Sequence, residues 1–168
     1  MKRIPVLFFV LSLLAIAGCK PKPKEISTLQ RKEAANLVSE AQFALTMKDL
    51  ARAEPLFEKA ANLCPDTGEY WLGLGVTRRR LGNKAGAKDA YEKMREACHD
   101  AYELKGNSPE AALQEVHALA LLGRIDEARK VLEKARKKNP TNPQLRGFSE
   151  KNGIDQLIAE PEFKELAI

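Results

Sequence analysis

The stretch Trp71-Leu72-Gly73-Leu74-Gly75-Val76-Thr77-Arg78-Arg79-Arg80-Leu81-Gly82-Asn83, followed by Ala87 and Tyr91, decides the fold. Trp71, Leu74, Gly75, Arg78 and Leu81 recur at intervals of three and four, which places them on one face of a helix. Gly82-Asn83 ends that helix and starts the next. Glycine accepts the positive φ of a helix terminus, and asparagine offers its side-chain oxygen to the free amides that follow. Gly75 and Ala87 are small where two antiparallel helices must approach closely. The stretch predicts a helical hairpin.

The hairpin recurs. Sliding the sequence by 34 positions aligns Leu37 with Trp71, Ala41 with Gly75, Asp49 with Asn83, Ala53 with Ala87 and Phe57 with Tyr91. A third copy follows an insertion of seven residues, with Gly123, Ala128 and Leu132 in the places of Gly82, Ala87 and Tyr91. Pro65 closes the first copy and Pro140 the third. Each copy is a helix pair unable to bury its apolar face alone, so neighbours must stack.

This period and these residues resemble the tetratricopeptide repeat. The resemblance implies an all-α fold, a short α-solenoid of three helix-turn-helix repeats at 34–67, 68–101 and 109–142. Several residues depart from the pattern. Lys48 stands where the other copies have glycine, and Pro55 falls inside a helix, where it removes one hydrogen bond and predicts a bend. His99 replaces the expected proline, and Tyr102 to Ser108 lengthen the connection, predicting an extended helix. Beyond Asn142, short helices are expected at Pro143–Glu150, Gly153–Ala159 and Pro161–Leu166. Ile154, Leu157, Ile158, Phe163 and Leu166 are apolar enough to cap the open end of the array, or else to fill its groove.

The amino terminus carries a different signal. Met1-Lys2-Arg3 precedes fourteen uncharged residues, Ile4 to Ala17. A membrane span needs about 20 apolar residues, so this length suits a secretory signal. Leu14-Ala15-Ile16-Ala17-Gly18-Cys19 resembles the lipobox of bacterial lipoproteins. That resemblance implies removal of residues 1–18, lipidation of Cys19 and a membrane anchor through its acyl chains. Lys20-Pro21-Lys22-Pro23-Lys24 reads as an extended tether within a lead-in of residues 19–33. Among lipoproteins of this kind an acidic residue after the cysteine retains the protein in the inner membrane. Lys20 therefore favours the outer membrane, facing the periplasm.

The formal charge of +5 includes Lys2 and Arg3; without them 26 basic side chains stand against 23 acidic ones. Basic and acidic residues are interleaved, which argues against a nucleic-acid partner. No phosphate-binding glycine loop, zinc-type cysteine pair or hydrolase nucleophile is present, and His99 and His117 stand alone. Neither catalysis, a metal nor a cofactor is expected. Cys64 and Cys98 are 34 residues apart, at equivalent repeat positions. An exported chain favours a disulfide, but equivalent positions on stacked helices lie about 8–10 Å apart, beyond disulfide reach. Both readings stay open.

By resemblance, the first helix of each pair lines a concave groove that receives a protein or peptide. Residues turned about 100° from the packing stripe are Leu72, Val76 and Arg79, with Val38 and Gln42 in the first copy and Leu113 and His117 in the third. The groove lacks the Lys and Asn set with which chaperone-binding members clamp a terminal carboxylate. The implied role is a membrane-anchored adaptor or scaffold in cell-envelope assembly, or in pilus or secretion biogenesis. The alternative is a carrier or accessory subunit holding an apolar small ligand or acyl chain in the same groove.

Overall fold

Three turns share one hydrogen-bond pattern. In the computed structural model, which describes residues 25–104 and 106–168, Lys48, Gly82 and Gly123 all have positive φ, of 59°, 83° and 72°. Behind each, the amide five residues past a helical carbonyl bonds back to it: Asp49 to Ala44, Asn83 to Arg78 and Arg124 to Leu119. These are helix stops in which a left-handed residue lets two terminal carbonyls be satisfied. Lys48, the apparent departure, adopts the glycine geometry nonetheless. A left-handed conformation costs a residue with a Cβ about 1–2 kcal/mol. Lys48→Gly is therefore expected to raise stability by about 1 kcal/mol in urea denaturation, after allowing for glycine's looser unfolded chain.

Those turns join α1 (Thr28–Thr46) to α2 (Leu50–Leu63), α3 (Gly68–Arg80) to α4 (Lys84–Leu104) and α5 (Pro109–Leu121) to α6 (Ile125–Lys138). Three shorter helices follow: α7 (Pro143–Glu150), α8 (Gly153–Ala159) and α9 (Pro161–Leu166). The protein is all-α, a solenoid of stacked pairs in which each helix packs on the one before it. α1 starts within the stretch read as lead-in, because Ser27 and Gln30 form a reciprocal capping box. α2 continues through Pro55. At its far end Cys64 bonds to Ala60, as Asn139 bonds to Ala135 after α6. The second pair has no such stop. Past His99, α4 runs on to Leu104, 21 residues in all, and buries Tyr102 against α5.

The core follows the repeat. Trp71, Leu74, Ala53, Ala87, Phe57 and Tyr91 are buried, and the ring of Tyr91 lies directly over Gly75. Leu81, placed on the packing face by its spacing, is instead 42% exposed, because it is the cap residue just past the end of α3, where the chain turns away. Arg78 stays on the stripe by reaching α2, at 2.9 Å from Glu54 and 2.6 Å from Glu58. At the first helix, Phe43 stands five residues before its turn, as Thr77 and Ala118 do before theirs. Thr77 and Ala118 are fully buried, whereas Phe43 is 59% exposed.

Cys64 and Cys98 are free buried thiols in separate packing clusters. Burial pushes the Cys98 thiol up to about 12 and that of Cys64 in the same direction. Residues 1–18, Cys19 and the Lys-Pro tether through Lys24 lie outside the described residues. No described helix is long and apolar enough to cross a membrane.

Candidate interaction site

The side formed by α3 and α5 is where the expected groove residues meet, and it is not empty. α7 continues the stack, with Leu145 buried against α5 and α6. Asn152 then turns the chain through a left-handed φ of 49°. Ile154 joins the end cluster, and Arg129 holds α8 to α6 through Asp155 at 2.6 Å. Leu157, Ile158, Phe163 and Leu166 go elsewhere, into a cluster with Ala87, Tyr91, Ala120, Leu121, Leu72 and Val76. The carboxy-terminal helices thus do both things left open by the sequence. α7 and the start of α8 cover the end, and α9 lies in the groove.

The expected groove residues therefore divide. Leu72 and Val76, chosen as apolar positions without an internal partner, are half-buried against the cluster that holds Phe163. Leu72 also packs against the core that joins the first and second helix pairs, and α9, some ninety residues later in the chain, covers both. Arg79 donates from Nε to the carbonyl of Ala167 at 3.1 Å. The His117 ring lies 5.9 Å from that of Phe163. Val38 packs within the first pair and against Tyr70, while Gln42 is exposed. Leu113 remains beside open space. A groove of about 680 Å³ runs between α5, α7 and α8, lined by Leu113, Gln114, Phe148 and Leu157 among others. A smaller apolar chamber of about 250 Å³ adjoins it at Leu113, His117, Phe148 and Leu157.

Two contributors were not visible in the spacing. Tyr91 reads as a repeat core residue, yet its hydroxyl donates to the carbonyl of Leu166 at 3.1 Å. The available signal was chemical, since a buried phenol needs an acceptor. The other is the pairing of His99 Nδ1 with Glu115 Oε1 at 3.1 Å. Sixteen positions separate them, so no local motif shows it. Burial raises the Glu115 carboxyl while His99 opposes the shift. Among the described residues no three His, Cys, Asp or Glu side chains form a group able to hold a metal.

A family model described as tetratricopeptide repeat matches residues 91–151, and a second of the same description matches 69–97. Over residues 69–151 the chain is similar to tetratricopeptide repeats. The matches fall on α3 to α7, with the first helix pair outside both. No curated protein compared with the chain matches it. Tetratricopeptide repeats are protein-interaction modules, so the groove beside α3 and α5 is the surface to read for a partner.

One consequence of the repeat packing is a pH dependence. Burial lowers the His117 pKa below its ordinary 6.5, so the docked α9 disfavours the imidazolium. As pH falls below about 6.5, states with His117 free take up the proton first, and docking weakens until the folded value is passed. The protection factor of the Ile168 amide, relative to amides in α5, should fall on acidification. His117→Gln should flatten that dependence.

Proposed function

We propose that the chain is a membrane-tethered adaptor of the cell envelope, held by lipid at Cys19 and binding a protein segment with its repeats. The observation that carries the binding half is the open groove along α5, α7 and α8. It is apolar at Leu113, Phe148 and Leu157 and rimmed by Glu110, Gln114 and Gln156. An apolar floor with a few polar groups at the edge suits a partner's side chains and main chain together. Support for the anchor comes from the lipobox-like run ending at Cys19, and Lys20 favours the outer membrane. A carrier of an acyl chain needs enclosed apolar space of roughly 300–1,000 Å³. The chamber at His117 is about 250 Å³ and opens into the polar-rimmed groove, which favours a protein segment.

The test has two arms. Cys19→Ser should abolish membrane partition of the full chain in its own envelope; fractionation like wild type removes the anchor. Leu113→Glu should abolish crosslinking to the neighbour captured at that groove, because a carboxylate would be desolvated there. Lys137→Glu is the control, on an exposed face of α6 beside Glu133. Unchanged capture by Leu113→Glu removes the groove.

A further inference from the structure

We infer that the site built by Arg79, Tyr91, His117 and Leu121 is a peptide-binding site, filled in cis by the chain's own residues 161–168. A partner would enter it with a segment of the same chemistry: an aromatic residue, a leucine three positions later, and an extended residue after that. The inference rests on the chain being a protein-binding array.

The contacts are those of a receptor for main chain. Tyr91 Oη donates to the Leu166 carbonyl at 3.1 Å and Arg79 Nε to the Ala167 carbonyl at 3.1 Å. The Ile168 amide donates to the Leu121 carbonyl at 2.9 Å. Three consecutive residues are thus held by their backbones, which any sequence offers. Selectivity comes from one box, made by Ala87, Tyr91, Ala120 and Leu121 with His117 at its edge, and Phe163 fills it at 6% exposure. Backbone bonds for hold and a pocket for choice are the usual division in peptide recognition.

The occupant is built to leave. α9 has six residues, too few to persist as an isolated helix. Pro161, Glu162, Lys164 and Glu165 are exposed, and Ile168 is 44% exposed. Apart from Phe163 and the half-buried Leu166 and Ala167, its hold is the three hydrogen bonds. Segments with so little burial open locally well below the global unfolding free energy. The open groove at Leu113 and Phe148 joins the site through His117. A partner seated there would compete with α9 from the side.

The probe is a fluorescently labelled peptide of residues 160–168, titrated against the full chain. Wild type should bind it weakly, because the tethered copy is present at an effective concentration on the order of 1 mM. Phe163→Ala with Leu166→Ala weakens the resident segment and should bind the peptide at least ten times more tightly, as the competent fraction rises. Adding Tyr91→Phe should then weaken binding severalfold. Equal affinity in wild type and the double variant, or no binding by the double variant up to about 1 mM, overturns the inference. A second measurement needs no substitution. In the unaltered chain, amides of 163–168 should exchange with solvent by local opening, faster than those of Leu119 and Leu121. Exchange only as slow as α5 makes α9 fixed core and overturns it. So does a wild-type chain whose mass doubles with concentration while those amides stay protected, since a second copy then owns the segment. Unchanged capture by Leu113→Glu touches neither arm: it removes the open groove as the partner's seat and leaves the cis site standing.

Discussion

Trp71→Ala should destabilise the chain by roughly 3–5 kcal/mol, the range for truncating a buried aromatic side chain. Trp71 is 5% exposed and packs in the cluster that joins the first and second helix pairs. Its indole N–H also donates to the Pro65 carbonyl at 3.0 Å, fixing the turn from α2 into α3. Lys93 lies 4.6 Å from its ring centroid. Truncation removes all three contacts and leaves a cavity between repeats. Since a domain of this size has about 5–15 kcal/mol in total, the midpoint of thermal unfolding should fall by on the order of 10 °C. Trp71→Phe keeps most of the ring and loses the hydrogen bond, so its cost should be near 1–2 kcal/mol. Equal midpoints for wild type and Trp71→Ala in urea denaturation would contradict the packing described.

The second large effect is at Gly75, and there two terms oppose each other. Replacing glycine by alanine inside a helix gains up to about 1 kcal/mol in backbone propensity. At Gly75 the new methyl would enter the ring of Tyr91. That ring is fully buried and tied to Leu166 by its hydroxyl, so it has nowhere to move. Overpacking costs about 1–3 kcal/mol, sometimes more, and wins. Gly75→Ala should lower stability by about 1–2 kcal/mol net. Gly147→Ala provides the contrast. It also lies inside a helix, α7, but nothing stands within 4 Å of where its Cβ would go. There the propensity acts alone, and stability should rise by up to about 1 kcal/mol.

Gly75 and Trp71 show why so much of the fold was legible. Helical spacing and small residues at close approaches are local properties, and a 34-residue offset repeats them, so the stacked pairs could be read directly. The same offset made Lys48 look like a break. Turn geometry is set by the hydrogen bonds behind it, and these tolerate lysine at a modest cost. The groove was legible only in part. Phase located Leu72, Val76, Arg79 and His117 on one side of the array, but not their occupant. The return of α9 depends on the turn at Asn152 and on contacts across some ninety residues, such as that from Arg79 to Ala167. His99 and Glu115 were missed for the same reason.

Phe43 carries a consequence for assembly. Thr77 and Ala118 are small and fully buried, Ala118 in the cluster that includes Ala90 and Met94 of the preceding helix α4. A phenyl ring at the corresponding point of α1 prevents a helix of the same kind from docking at the usual 8–10 Å. The opposite end of the array is closed by α7 and the start of α8. Stacked repeats are inherently prone to head-to-tail polymerisation, because the surface that receives one unit would receive another chain's unit equally well. With one end blunted by an aromatic side chain and the other covered, crowded copies can meet side by side without growing into filaments.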